Sequence, residues 1–489
     1  MTGRQRRDAV VVGSGPNGLA AAVTLAAAGL DVEVVEAATT AGGGSRTREL
    51  TLPGHLHDVC SAVHPMAVAS PFFTAFDLRA RGVELLEPEV QFAHPLDDGP
   101  AGLVLRDLDA TAEGLGADGG RYARLMRPLV EHADALLPLL LAPVRRPPTD
   151  PRALRAATEF GARAGLTLPV LARLLREPRA AALLAGVAAH TLGRQTGIPN
   201  AAAGLMLTTL AHSHGWLVPR GGSQALTDAL LADLRRRGAT VTTGRRVRSL
   251  AELPPARAVL LDVSPAEVLR IAGDRLPARY AAALRRYRYG PGAFKVDYVL
   301  SGPVPWRDPG ARRAGTLHLG GTWQEIAAAE AEVAAGRHAE RPYVLLAQPS
   351  ALDPSRAPDG HHVLWAYCHV PNGSTLDRSE QVDAQIERFA PGFRDLVVAR
   401  HVQTAAGLER ENPADVGGDF AQGATTLRQV LARPVPRWDV HAAPLPGLYL
   451  CSSSTAPGPG VHGMCGWWAA RSALRRTFGI TALPALAPA

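Results

Sequence analysis

The chain is 489 residues long, 46% hydrophobic and 20% charged, which exceeds a single hydrophobic core and points to two domains or one domain with large insertions. A formal charge of +7 raises nucleic acid as a partner, but the arginines are spread along the chain and form no aromatic-interleaved basic module, so solvated surface is expected and no nucleic-acid partner. Cys60, Cys368, Cys451 and Cys465 lie far apart, without a CxxC or metal-binding spacing, as expected of free thiols in a reducing cytoplasm.

From the N-terminus, the stretch "RQRRDAVVVG" imitates a signal peptide, but Gly13, Gly15, Pro16 and Gly18 interrupt its apolar continuation, and a resident structural role is expected instead. No run of about 20 apolar residues free of charge and proline follows anywhere, so no membrane span is expected. Ala9 to Val12 is valine-rich, as in a buried parallel strand. It runs into Gly13-Ser14-Gly15-Pro16-Asn17-Gly18, then an alanine-rich helix ending near Gly29, then a second strand, Val32 to Val35, closed by Glu36 and Ala37. Gly13 permits the tight turn, Gly15 admits a pyrophosphate to the backbone, and Gly18 lets helix and strand pack closely. The helix N-terminus offers free N–H groups and a positive dipole end to phosphate. Glu36 stands where a carboxylate accepts from ribose hydroxyls, which favours FAD or NAD over NADP.

Downstream, "TTAGGGSRTREL" sets Gly42-Gly43-Gly44 just beyond that acid, with Arg46 and Thr47 following. This pairing resembles the large flavoprotein group of bacterial phytoene desaturases and flavin amine oxidases, whose second glycine motif lies beside the FAD. The resemblance implies FAD contacts for Gly42, Gly43 and Thr47. The family's usual arginine is Gly44 here, with Arg46 two residues on as its substitute. The histidines of "GHLHDVCSAVHP" (His55, His57, His64) are expected at the edge of the flavin cavity, without the carboxylates a metal site needs.

Residues 80–213 read as mainly helical. Within 214–250, a helical pattern from Leu226 to Leu234, a stop at Gly238 and a strand from Thr240 to Thr243 resemble the family's second FAD segment. That likeness implies a backbone contact of Val247 with adenine. "GGSQA" mimics a hydrolase nucleophile elbow, but Ala225 stands where glycine is required.

Of the 52 lysines and arginines only Lys295 is a lysine. "AFKVDYVL" alternates at period two, so a strand is expected with Phe294, Val296, Tyr298 and Leu300 on one face and Lys295, Asp297 and Val299 on the other. In flavin amine oxidases a strand at this point carries a lysine that binds a water at flavin N5, and resemblance puts Lys295 there as a catalytic residue. An ammonium is a compact point charge that can lose its proton when buried, whereas guanidinium stays charged. Pairing with Asp297 is the structural alternative.

Finally, residues 444–474 resemble the family's C-terminal FAD motif. That match implies Ser454 and Thr455 near the ribityl-phosphate and Val461 and Met464 near the flavin. Ala456 replaces a histidine frequent in the desaturases, and Ser454 replaces an acid usual in amine oxidases. "CHVPNG" (368–373) and 400–424 carry a closer likeness to the phytoene-desaturase-like pyridine nucleotide-disulphide oxidoreductase-domain subgroup. No second GxGxxG unit supports a resident NAD(P)H site.

The resemblance implies an α/β fold with a Rossmann-like FAD domain from 1–79, 214–289 and 433–489, and a mixed α/β substrate domain from 80–213 and 290–432. The implied activity is dehydrogenation or desaturation of an apolar or amphipathic small molecule, electrons passing to O2 or a quinone. Amine oxidation and a non-redox role such as isomerisation are the alternatives. The expected location is the cytoplasm, with peripheral membrane contact through the helical insertion.

Overall fold

A computed structural model describes residues 6–143 and 148–487. The extreme ends of the expected first and last FAD segments, and residues 144–147 within the expected helical insertion, lie outside them. Two sheets organise the chain.

The first is a five-stranded parallel sheet in the order Leu448–Leu450, Ala256–Leu261, Arg7–Val12, Val32–Val35 and Thr240–Thr242. Its strands come from three distant parts of the chain. The inner strands are short and largely apolar because helices cover both faces, while the edge strand Thr240–Thr242 is partly exposed. Leu19, Val23, Leu230 and Ala470, from helices Pro16–Ala27, Gln224–Arg236 and Met464–Ala473, fill one face. Val268, Ile271 and Leu284, from Pro265–Ala272 and Ala278–Arg285, fill the other.

The second sheet has seven strands in the order Val397–Gln403, Gly292–Leu300, His362–Val370, Val344–Ala347, Ala314–Leu319, Val90–His94 and Gly102–Leu105. Pairing is antiparallel except between Ala314–Leu319 and Val90–His94. Phe294, Val296 and Tyr298 join the core on one face, beneath helix Ser379–Phe389. The opposite face meets the helices Pro178–Ala188 and Ile198–Ser213.

Two strands of this sheet, Val90–His94 and Gly102–Leu105, belong to the stretch 80–213 expected to be mainly helical. Each is only a few residues long; Val90–His94 pairs with residues 314–317, far away in the chain, and Gly102–Leu105 pairs in turn with Val90–His94. Among the described residues no helix is long and apolar enough to cross a membrane.

Candidate functional site

The fingerprint turn closes on its acid. Glu36 Oε2 accepts the Ser14 backbone N–H at 2.8 Å and the Ser14 hydroxyl at 2.6 Å, while Oε1 accepts the Ala38 N–H at 2.7 Å. Proline opens the helix at Pro16, where a missing N–H costs nothing. Gly18 is required by close approach, since a Cβ there would lie 2.3 Å from the Gly13 carbonyl oxygen. Gly43 has a φ of +55°, and a Cβ there would lie 2.9 Å from the Gly15 Cα. The two glycine motifs thus interlock backbone to backbone.

From this turn a cavity of about 560 Å³ runs past Glu36, Ala37 and Val247, along Gly43, Gly44 and Arg46, to Lys295 and the face of the seven-stranded sheet. Gly13, Ser14, Gly15, Pro16, Asn17 and Val461 also stand on its wall. Buried polar atoms along that wall lack a protein partner: Asn17 Oδ1, Ser45 Oγ and His64 Nδ1. A polar, elongated dinucleotide fits such a lining, because orphaned buried polar atoms are costly unless a ligand engages them.

Six expected contacts stand behind the wall instead: Gly18, Gly42, Thr47, Ser454, Thr455 and Met464. The Thr47 hydroxyl donates to Asp58 at 2.7 Å and accepts the Gln224 N–H at 3.1 Å. Gly42 donates its N–H to Ser14 Oγ at 3.2 Å. Ser454 shares a hydroxyl–hydroxyl bond of 2.6 Å with Ser452, and the Thr455 hydroxyl donates to the Ser452 carbonyl at 2.7 Å. These bonds turn the loop inward, so Ser453, Pro459 and Gly460 reach the cavity. The Met464 N–H caps onto His462 Nδ1 at 3.0 Å.

Arg46 is fixed rather than free. Its Nε donates to the Gly43 carbonyl at 2.7 Å and its Nη2 pairs with Glu411 at 2.9 Å. Of the three loop histidines only His64 reaches the wall, with Nε2 at 2.7 Å from the Ser223 hydroxyl; burial lowers its pKa to about 4. His55 pairs with His361 and His57 with Thr51.

Lys295 is buried on the sheet face, its ammonium hydrogen-bonded to Asp297 two residues along the strand and 5.9 Å from the Trp365 ring centre. His57 Nδ1 and His401 Nδ1 each lie 3.7 Å from the Asp297 carboxylate. Burial works against charge on Asp297, yet Lys295 beside it holds the carboxyl below its usual range. Burial depresses His57 to about 4, with Asp297 opposing and Lys295 reinforcing the shift.

Sequence reasoning missed several wall residues. Asp262 follows strand Ala256–Leu261 and accepts the Gly18 N–H at 2.9 Å, at the helix end suited to anions; burial pushes it up to about 7. Asp415, bonded to Asn412 and Gln422, is likewise pushed to about 7 by burial. The half-buried Cys60 thiol is pushed up to about 12. Asp262 could have been suspected from its place after an apolar strand; the others carry no local signal. Among the described residues no group of metal-ligating side chains is assembled.

Comparison with known proteins accords with this geometry. Residues 11–76 match the NAD(P)-binding Rossmann-like domain family. The mouse pyridine nucleotide-disulfide oxidoreductase domain-containing protein 2 is 28% identical over 96% of this chain and 93% of its own length. Hydroxyneurosporene desaturase of Rhodobacter capsulatus is 30% identical over about half of each chain, 50% and 51%. A solved putrescine oxidase variant superimposes with a TM-score of 0.61 at 19% identity, covering 96% of this chain and 99% of that one, which is a likeness of fold. The resemblance read from the motifs is therefore found over nearly the whole chain.

Proposed function

We propose that this chain, an FAD-dependent oxidoreductase similar along its length to pyridine nucleotide-disulfide oxidoreductase domain-containing protein 2 and over half of it to hydroxyneurosporene desaturase, dehydrogenates an apolar or amphipathic small molecule. One observation carries this reading. A single cavity joins the dinucleotide turn to an arm floored by the seven-stranded sheet and roofed by Ala203, Met206 and Leu207 of helix Ile198–Ser213.

When bound, FAD supplies a hydride acceptor for an oxidisable C–H bond. The chain's own residues bind, orient and shield. Glu36 keeps lone pairs for ribose hydroxyls while anchoring Ser14, and the start of helix Pro16–Ala27 receives the pyrophosphate. Val247 lies toward the adenine end, and Gly43, Gly44, Arg46, Ser453 and Val461 flank the remainder. The apolar roof excludes water from the reacting carbon. Lys295 stands on the cavity wall with Asp297 as its counter-ion, so the pair as a whole carries no net charge into the buried floor.

Electrons leave to O2 or a quinone, and the four free thiols suit a cytoplasmic setting. Anaerobic mixing of the purified protein with candidate substrates tests the reading: the correct one bleaches the flavin absorbance, and air or a quinone restores it. A protein that purifies with no flavin and takes none up would sink it.

Amine oxidation is the second reading, favoured by the shared fold with the putrescine oxidase variant. Peroxide release from a panel of amines would select it over desaturation.

A further inference from the structure

The arm's floor is written in two cross-strand rows on one face of the sheet. One row pairs Lys295 with Tyr367, Tyr367 with Leu345, and Leu345 with His318. The next pairs Asp297 with Trp365, Trp365 with Ala347, and Ala347 with Thr316. Three strand spacings separate Lys295 from His318, or about 14 Å.

Most of this surface is apolar, but on the residues of these rows that reach the cavity wall two buried polar atoms have no protein hydrogen-bond partner. Thr316 is 1% exposed with Oγ1 unbonded, and Trp365 is 6% exposed with Nε1 unbonded; both residues stand on the cavity wall. At the far end His190 spends Nε2 on His318 at 2.8 Å, and burial keeps the imidazole neutral. Carboxyls on the wall are already engaged: Glu36 by Ser14, Glu411 by Arg46, Glu267 by Arg246 and Arg270, Asp415 by Asn412 and Gln422, Asp262 by Gly18. Asp297, on the same face of the sheet, is engaged at Oδ2 by Lys295, while its Oδ1 has no hydrogen-bond partner.

Resting on the reading above, we propose that the arm takes an elongated apolar molecule of about 14 Å carrying a neutral oxygen function, a hydroxyl or carbonyl, bonded by the Trp365 indole N–H and the Thr316 hydroxyl. An indole N–H only donates, so its partner is an oxygen acceptor. An ammonium would be buried there beside the Lys295 cation, which already offsets the charge of Asp297, and that is costly.

The flavin-loaded protein is titrated with dodecanol, dodecanal, dodecane and dodecylamine, following perturbation of the flavin absorbance. The alcohol and aldehyde bind about tenfold tighter than the hydrocarbon or the amine, the worth of one to two buried hydrogen bonds. Thr316→Val and Trp365→Phe each weaken the two oxygenated probes about three- to tenfold and leave dodecane unchanged. Thr316→Ser restores wild-type binding. Tightest binding by dodecylamine, equal or absent binding of all four, or variants that match wild type overturn the proposal. A protein that takes up no flavin refutes the underlying reading instead, and titration followed by tryptophan fluorescence then tests the arm alone.

Discussion

Lys295 and Asp297 form a buried ion pair within one strand, two residues apart, on the face that floors the cavity. Removing one partner strands the other in a medium that cannot solvate it. Lys295→Met is expected to cost about 3–5 kcal/mol by urea unfolding, and the double variant with Asp297→Asn much less. Where the single variant still carries FAD, flavin reduction or reoxidation slows. If Lys295→Arg matches wild type in both half-reactions, a positive charge alone suffices.

Glu36→Ala removes the acceptor for Ser14 and Ala38 as well as the expected ribose contact. FAD per chain, read from the ratio of flavin to protein absorbance, is expected to fall about tenfold under dilution. Full occupancy would remove Glu36 from the cofactor site.

Gly18→Ala forces a methyl to within 2.3 Å of the Gly13 carbonyl, on rigid backbone at both ends. The expected loss is about 1–3 kcal/mol in chemical denaturation, with FAD released alongside, because the same turn supports both.

Acid should unfold the protein early. His57, His64, His94, His212 and His462 are held near 4 and His190 near 3, in each case chiefly by burial. The unfolded chain binds these protons at about 6.5, so their stability is present above that pH and is lost as pH falls toward 4. Asp262 and Asp415, raised to about 7, and Asp419, raised to about 6, act in the opposite sense, losing stability as pH rises through those values. Six histidines outweigh three carboxyls in number, so the thermal midpoint is expected to drop on going from pH 6.5 to 4.5. A flat profile across that interval would mean that the histidines are not buried neutral.

Thiol labelling offers a direct check on burial. Cys60, Cys368 and Cys465 are each pushed to about 12 and Cys451 is raised as well, all by burial. In the native protein Cys368, Cys451 and Cys465 should resist iodoacetamide at pH 8, Cys60 on the cavity wall should be labelled ahead of them, and all four thiols should react in urea.

What the sequence makes legible follows from how local each signal is. Gly13, Gly18, Glu36 and the strand around Lys295 announce themselves because turn, helix start and period-two alternation are properties of neighbouring residues. The floor of the arm does not, since Tyr367, Leu345 and Thr316 become neighbours only through strand register. Asp262 and Asp415 acquire their shifted acidity from burial, which no local pattern records. The C-terminal loop shows the limit at single-residue scale: the motif points to Ser454 and Thr455, but bonds to Ser452 turn those side chains away and leave Ser453 on the wall.

The parallel sheet draws its strands from residues near 10, 34, 241, 258 and 449. On the ribosome the fingerprint emerges almost first, yet the neighbours that bury it appear only when the chain is nearly finished. Non-local pairings of this kind fold slowly, because loop closure must precede the contacts that reward it. Cofactor loading is thus a late event in the life of each molecule, and a chain halted before residue 448 has most of its binding residues but no completed sheet to hold them.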